Sequence, residues 1–414
     1  MLALADGKID EARQFYFDIL KDNPNSGKTY RDLALLETRA GRLDEAEAYL
    51  VKGVEASPDD PLATAALALY KLAQGRFQEA FDAVEKVVPK WPRNPVLLDV
   101  LGRSQLALGQ PGAAVSTFQN LANIAPRAAL AHRHLAEAYL AAGKPERAIP
   151  AASDAIKLDP KDKATRFSLA RALIAGGQPV EARKVVDGLK QDEPNDIVVS
   201  ELDGIVARQQ GRLLDAIAAF ARAVALADNG ADRMRLAEAQ FAAGRRDDAE
   251  TTLTIWLGAH PEDRDARKTL AELFVRAERL AEASEQFAEL VKVNPKDVSA
   301  VNNLAWALWR LGRKGEALAY ARQAAALAPG SAETLDTLGM ILLQNGMAGE
   351  TVASLDKAWK KSPDRPDIRL HLAQALAASG ETSQARALLR GLLVGSEPFT
   401  DRDQAQKLLE ELGG

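Results

Sequence analysis

The chain has 414 residues, of which 5% are aromatic and 27% charged, and its 53 basic and 58 acidic residues give a net charge of −5. The two signs of charge are mixed throughout, so the sequence lacks the basic face that nucleic-acid binding requires. Cysteine is absent, which excludes disulfides, thiol chemistry and cysteine-ligated metal, and the sequence contains no run of 18 apolar residues that would predict a membrane span.

A unit of 34 residues recurs along the chain, and residues 129–162 show it most clearly. Numbered from 1, the unit places Leu135 at position 7 and Tyr139 at position 11, which is the spacing of one helix face. Gly143 at position 15 suits the left-handed residue that ends a helix. Pro160 at position 32 cannot continue a second helix. The unit therefore predicts a helix–turn–helix.

The register holds over twelve units, and three positions show this. Position 8 is Ala or Gly in the eleven units that contain it, and position 15 is Gly except at Glu278. Position 20 is Ala except at Thr351, and small residues there allow two helices to approach closely. The position-32 prolines are Pro24, Pro58, Pro92, Pro126, Pro160, Pro194, Pro261, Pro295, Pro329 and Pro363. The position-20 alanines are Ala12, Ala46, Ala80, Ala114, Ala148, Ala182, Ala216, Ala249, Ala283, Ala317 and Ala385.

In chain order, a partial first unit occupies residues 1–26, with its second helix over about 8–22. Because Met1 falls at position 9, inside a first helix, we expect an earlier part of the array, with any export signal, to precede this chain. Complete units are predicted to begin at residues 27, 61, 95, 129, 163, 197, 230, 264, 298, 332 and 366. We divide the complete units into an N-terminal half, 27–228, and a C-terminal half, 229–396.

Residues 397–414 are predicted to close the array. Residues 396–399 break the chain, and Asp401–Leu412 then forms one more amphipathic helix. Its apolar side chains should cover the exposed end of the last unit, as solenoids require for solubility. The covering residues are Ala405, Leu408, Leu409 and Leu412, and Arg402, Asp403, Gln406 and Lys407 are expected to face water.

The unit beginning at 197 departs from the pattern. Asp203 replaces the apolar residue of position 7, and residues 228–232 replace the proline turn. We expect the helix to shift its phase locally and to bury Leu202 and Ile205 instead. The alternative is a change of superhelical curvature at this unit.

The spacing, with its alanines, glycines and prolines, resembles the tetratricopeptide repeat (TPR) family. The resemblance implies an all-α, right-handed superhelix of eleven full repeats, preceded by a partial repeat and followed by a capping helix. It also implies that positions 2, 5, 9, 12 and 13 of each first helix line a concave groove that binds a protein or peptide partner. The fixed Lys and Asn positions of carboxylate-clamp TPR proteins are not matched.

The groove positions are richest in the unit beginning at 298. Asn302 and Trp306 fall at positions 5 and 9, where an aromatic ring and an amide could stack on and hydrogen-bond a peptide side chain or a sugar ring. Trp306 could instead fill the gap between repeats, and Trp309, at position 12, is predicted to do so. The other candidate ligand-binding residues here are Lys268, Glu272, Arg310, Asp336 and Gln374.

A second candidate patch contains Arg103, Arg133 and Arg171, interleaved with Asp99 and Glu137. Three arginines could bind a carboxylate or an anionic polymer. The alternative is a mixed, solvated surface, which such charge patterns usually form.

Nothing in the sequence predicts catalysis, a metal site or a cofactor. His132 and His134 are two residues apart on a helix, so they face different ways and cannot share a metal ion. Residues 312–317 form a repeat turn and do not match a phosphate-binding loop. We therefore expect a protein that is not an enzyme.

Residues 302–346 and 399–412 are similar to the large TPR lipoproteins encoded in bacterial exosortase (PEP-CTERM) and exopolysaccharide loci. This resemblance implies an exported scaffold that helps assemble or export polysaccharide or surface proteins. Such a protein would be periplasmic or associated with the outer membrane, lipid-anchored through a segment before residue 1. The alternatives are a cytoplasmic TPR adaptor and the interaction domain of a larger enzyme.

Overall fold

The computed structural model describes residues 9–394 and 399–413, and all regular structure in these ranges is α-helical. The predictions that concern Met1, Gly7 and most of the chain break at 396–399 lie outside the described residues. The helices are α1 Ile9–Asp22, α2 Gly27–Arg39, α3 Leu43–Ala56, α4 Pro61–Ala73, α5 Phe77–Glu85, α6 Pro95–Ala107, α7 Pro111–Ile124, α8 Ala129–Ala141, α9 Pro145–Leu158, α10 Lys163–Ala175, α11 Pro179–Asp192, α12 Ile197–Gln209, α13 Leu213–Leu226, α14 Gly230–Ala242, α15 Arg246–Ala259, α16 Arg264–Arg276, α17 Leu280–Val293, α18 Val298–Arg310, α19 Lys314–Leu327, α20 Ala332–Gln344, α21 Ala348–Lys361, α22 Pro366–Ala378, α23 Thr382–Leu393 and α24 Arg402–Glu411.

The predicted repeats are confirmed, because the even-numbered helices α2 to α22 begin at the eleven residues expected from the 34-residue register. Most of these helices are capped by the residue just before them. Asp297, for example, accepts a hydrogen bond from the backbone N–H of Ala300 at 3.1 Å, which satisfies a donor that the first turn leaves free. The residues with this role are Ser26, Asp60, Asn94, Asp162, Asp196, Asn229, Asp263, Asp297 and Ser331.

Small residues lie where the two helices of a repeat cross. Ala148, Ala182 and the other position-20 alanines are buried, and so is Thr351 in the same position. Where position 8 is glycine, as at Gly102, a larger residue is excluded sterically. A Cβ on Gly102 would lie 2.5 Å from the ring of Phe118, a separation that a real Cβ does not tolerate. The large residue of one helix thus occupies the space that the glycine of the other leaves.

The turn between the two helices of a repeat uses a left-handed residue. Described position-15 glycines have φ between 66° and 84°. Glu278 takes the same conformation with φ 61°, where its Cβ is disfavoured sterically. The turn therefore keeps its geometry even where the sequence lacks glycine.

The chain forms two compact units, divided between Arg212 and Leu213. Within each unit, successive helices pack against one another in chain order, and each first helix packs on the second helix of its own repeat. The predicted division into two halves at residue 228 stays a prediction.

The expected phase shift of the helix at Asp203 is wrong, because α12 keeps the phase of the other repeats and buries this carboxylate at the core position. Asp203 is 5% exposed, Leu202 is also buried, and Ile205 is only half-buried. Lys190 Nζ donates to Asp203 Oδ2 at 2.7 Å, and Arg183 donates to its Oδ1. Burial raises the pKa of Asp203, but the hydrogen bonds from Lys190 and Arg183 outweigh it, so the pKa lies below its ordinary value.

Helix α24 covers the last repeat, as predicted. Ala405 is fully buried, and Leu408, Leu409 and Leu412 pack with it against a cluster that includes Leu370. Arg402 was expected to face water, but it donates to the carbonyl of Leu393 at 2.6 Å. Since Leu393 ends α23, this contact satisfies a carbonyl that the helix itself leaves unpaired.

Candidate functional site

A cavity of about 500 Å³ lies among α16, α18 and α20, the first helices of three consecutive repeats. It is open to solvent and contains aromatic, amide and charged groups in close proximity. The lining residues are Glu272, Val275, Arg276, Phe287, Asn302, Asn303, Trp306, Glu333, Asp336, Thr337 and Arg365. The structure thus brings together four residues predicted from the sequence.

The cavity lies where α16 and α18 approach each other less closely than α18 and α20 do. Phe287, on the second helix α17, lines the cavity although the residue is buried. A second cavity of about 410 Å³ adjoins the first, since Phe287 and Asn303 line both. The two cavities are therefore neighbours on the same helices, and we call them together the α16–α20 groove.

Trp306 is half-buried and contributes its ring to the groove. Part of the indole packs against the core of this unit, and the guanidinium carbon of Arg310 lies 5.2 Å from its ring centre. That distance is within the range of a cation–π interaction. Trp309, one turn further along α18, also packs against the core, and its buried Nε1 has no hydrogen-bond partner among the described residues.

Asn302 is the least exposed polar residue of the groove. Its side chain lines the cavity although the residue is only 5% exposed. Its Oδ1 is shut off from solvent and accepts no hydrogen bond from any residue that the structure describes. A buried acceptor without a donor costs about 1–3 kcal/mol. The fold therefore tolerates an unfavourable group at this point of the groove.

The carboxylates of the groove differ in how they are paired. Asp336 faces His371, whose Nδ1 lies 2.8 Å from Asp336 Oδ1. Glu272 and Lys268 are both half-exposed and 3.8 Å apart. Glu333 is exposed and forms no ion pair with a described residue.

Arg365 precedes α22 and closes one side of the cavity. Its Nε donates to Asp367 Oδ1 at 3.0 Å, and its Nη2 donates to the other carboxylate oxygen. Hydrogen bonding to Asp367 raises the pKa of Arg365, and the same contact lowers the pKa of Asp367. This arginine is thus already held by a carboxylate outside the cavity.

The remaining candidate residues lie around the cavity. Lys268 lines the adjoining cavity, Arg310 stacks on Trp306, and Gln374 lies on α22, outside the lining of either cavity as described. The sequence missed Glu333, Thr337 and Asn303, which lie at positions 2 and 6 of their repeats. Position 2 had been assigned to the groove, so Glu333 could have been found from that assignment alone.

The second patch, on α6, α8 and α10, is largely paired within itself. Arg133 donates to Glu137 at 3.0 Å, and Arg103 lies 3.6 Å from Asp99. Arg171 is exposed on α10. The structure therefore leaves fewer positive charges here than the three arginines suggest, and binding at this patch stays a prediction.

His134 and His371 each contact an aspartate of the preceding repeat. Nδ1 of His134 lies 2.6 Å from Asp99 Oδ1, which is the contact that His371 makes with Asp336. Both pairs join position 5 of one repeat to position 6 of the next. Among described residues, no three His, Asp or Glu side chains are placed to hold a metal ion.

No described helix has the length and hydrophobicity that crossing a bilayer demands.

A search of curated proteins finds no match. Among solved structures, yeast Tom70 is 16% identical, with 94% of this chain and 95% of that chain covered and a TM-score of 0.51. At this identity the likeness shows the fold alone.

Two further structures are similar at lower TM-scores. The APC/C hetero-tetramer Cut9–Hcn1 is 12% identical, with 99% of this chain and 94% of that chain covered and a TM-score of 0.44. A tetratricopeptide repeat protein from Parabacteroides merdae is 16% identical, with 60% of this chain and 98% of that chain covered and a TM-score of 0.49.

Two family models, both described as tetratricopeptide repeat, match the sequence. One matches residues 3–70, 139–202, 207–273 and 342–394, and the other matches residues 100–163 and 268–332. The first model alone extends over more than half of the chain, so the chain belongs to the tetratricopeptide repeat family.

Proposed function

We propose that this protein is a non-catalytic scaffold that binds an extended segment of a protein partner in the α16–α20 groove. The repeat fold is one of protein–protein interaction. The observation that carries the proposal is the combination of Trp306, a half-buried aromatic ring, with Asn302, a buried amide whose oxygen has no donor. Aromatic anchors dominate the binding energy of many interfaces.

The shape of the groove favours an extended peptide over a compact ligand. The two neighbouring cavities share Phe287 and Asn303, and their lining residues extend over three repeats. An extended chain presents backbone donors and acceptors at regular intervals, which the amides of Asn302 and Asn303 can pair with. A sugar polymer is the alternative ligand, since sugar rings also stack on Trp.

The experiment that tests this proposal begins by selecting peptides that bind the whole chain. A phage-displayed library of random dodecapeptides is panned against the protein, and the recovered peptides are measured in solution. Trp306→Ala should weaken binding of these peptides by about 2 kcal/mol or more while leaving helix content intact. Trp309→Ala should instead lower the melting temperature, because its ring packs against the core of this unit.

Two results would refute the proposal. One is a library that yields no peptide whose binding depends on Trp306. The other is a Trp306→Ala variant whose only defect is a lower melting temperature, since the ring would then serve packing alone. Binding of soluble exopolysaccharide, with no peptide binding, would favour the sugar polymer.

The finer proposal is that the scaffold takes part in assembling or exporting bacterial exopolysaccharide or surface proteins. It rests on the resemblance that the sequence of residues 302–346 and 399–412 suggests to the TPR lipoproteins of exosortase loci, and this resemblance stays a prediction. On this proposal the protein is periplasmic or associated with the outer membrane. Fractionation of the bacterium that makes it, with an antibody to this chain, tests the location, and a cytosolic result would favour the adaptor.

A non-catalytic role agrees with the family, whose members are generally scaffolds. An interaction domain of a larger enzyme would use the same groove to bind its substrate protein.

A further inference from the structure

We propose that the Trp306 cavity of the α16–α20 groove recognises a basic side chain, arginine or lysine, of the bound peptide. The inference rests on the proposed peptide-binding function and specifies what the cavity selects. It depends on a difference between the cations and the carboxylates around the cavity. The three arginines there each contact an aromatic ring or a carboxylate of the protein, whereas Glu333 forms no ion pair with a described residue.

Each arginine near the cavity has a partner of its own. The Arg310 guanidinium lies over Trp306, and that of Arg276 lies 4.8 Å from the ring centre of Phe241 on the preceding repeat. Arg365 is held by both oxygens of Asp367. A ligand carboxylate would therefore have to compete with Asp367 for Arg365, and it would meet Arg276 and Arg310 where they already lie over aromatic rings.

Acceptors, in contrast, remain available. Glu333 is an exposed carboxylate on the cavity wall and forms no ion pair with any described residue. Glu272 is only loosely paired with Lys268, at 3.8 Å. Asp336 presents a second oxygen beyond the one that faces His371. Three carboxylates thus line the cavity beside Arg365, whose pKa is raised chiefly by Asp367 and further by Asp336 and Glu333, and they would attract a cation that enters it.

Asn302 adds an uncharged hydrogen-bond acceptor to these carboxylates. Its Oδ1 is buried without a donor, and its terminal torsion is soft enough for the amide to turn toward the cavity. A donor that reaches this oxygen satisfies it and removes the cost of leaving it unpaired. Guanidinium carries five N–H donors and ammonium three, and neither carries an acceptor.

Trp306 favours the same ligand. An indole face attracts cations more strongly than the other aromatic rings do, and Arg310 already makes such a contact with this ring. The ring lines the cavity, so the methylene stem of an arginine or lysine can pack on it while the charged end reaches the carboxylates. The cavity therefore matches both parts of a long basic side chain.

The experiment uses the intact chain and the peptides selected through Trp306. Each arginine or lysine of these peptides is replaced in turn, arginine by citrulline, which keeps the shape and removes the charge, and lysine by norleucine. One such replacement should weaken binding by about tenfold or more, because a charge-assisted contact is lost. Glu333→Gln should weaken the unmodified peptide and leave the citrulline peptide nearly unchanged. Glu285→Gln, an exposed carboxylate on α17, is the matched control and should change neither.

The outcomes separate the two proposals. Peptides that need Trp306 but tolerate every citrulline and norleucine replacement would overturn the basic-side-chain inference and leave peptide binding intact. Equal weakening of charged and neutral peptides by Glu333→Gln would overturn it as well, since the carboxylate would then act without the ligand charge. The absence of any Trp306-dependent peptide would overturn the proposed function itself. A charge-dependent effect confined to Glu333, with Glu285→Gln silent, supports the inference.

Discussion

Replacing Asn302 by leucine should stabilise the protein while it weakens ligand binding. The residue is 5% exposed and its Oδ1 has no donor among the described residues, so the folded state bears the desolvation of that oxygen. An unsatisfied buried group costs about 1–3 kcal/mol, and leucine, of similar size, adds apolar burial. Part of this gain is lost to imperfect packing of the branched side chain. We therefore expect a net stabilisation of about 1–2 kcal/mol.

The assay is urea unfolding followed by circular dichroism, from which the free energy of unfolding of each variant is obtained. Asn303→Leu is the matched control, because Asn303 is adjacent on α18 but only half-buried and should gain little. The two variants are then compared for binding of the selected peptides. If Asn302→Leu is destabilised by more than its control, the amide has a structural role, and our account of the unpaired oxygen is refuted.

Three further predictions concern the fold. Because the pKa of Asp203 in the folded protein is lowered, the stability that its carboxylate contributes is present above about pH 4 and is lost as the pH falls. Asp203→Asn should therefore lower the free energy of unfolding by about 1–3 kcal/mol at pH 7 and by much less at pH 3. The control, Asp187→Asn at an exposed carboxylate, should cost less than Asp203→Asn at either pH. Ala182→Leu should overpack a helix crossing and lower stability by about 1–3 kcal/mol, whereas Ala288→Leu on an exposed face should not; equal melting curves would show that the register is wrong. Glu278→Gly should raise the free energy of unfolding by about 0.5–1 kcal/mol, and with it the melting temperature, since glycine adopts the left-handed conformation without strain. A lower melting temperature would show that the Glu278 side chain stabilises the fold through another contact.

The repeat boundaries could be predicted because their causes are local and recur. Position 15 needs a left-handed residue, position 20 needs a small one, and proline ends the second helix, so each unit confirms the phase of the others. A single exception does not disturb the register. Thr351 illustrates this, since its hydroxyl donates to the carbonyl of Met347 at 2.9 Å and the side chain stays buried in the place of alanine.

Asp203 could not be interpreted from its own repeat. Its sequence position predicts a core residue and its chemistry predicts a surface residue, and a local interpretation resolves the conflict by shifting the helix. The structure resolves it with Lys190 and Arg183 from the preceding repeat, 13 and 20 residues earlier in the chain. The pattern of one unit contains no information about a partner on another.

The groove was predictable in part for a similar reason. Positions 5 and 9 placed Asn302 and Trp306 on the correct face of α18, because helical spacing alone decides that. The separation of α16 from α18, which opens the cavity, depends on packing across repeats and has no sequence signal that we can identify.

The Asp–His pairs help to separate scaffold from site. Asp99 and His134 in one unit make the contact that Asp336 and His371 make in the other, with the same spacing of 35 residues. A contact that recurs at equivalent positions is explained by the joining of repeats, so Asp336 alone does not mark a binding site. What accompanies the second pair is Trp306 with its cation–π partner and the unpaired oxygen of Asn302. Selectivity for a ligand should therefore follow changes at Asn302 and Trp306.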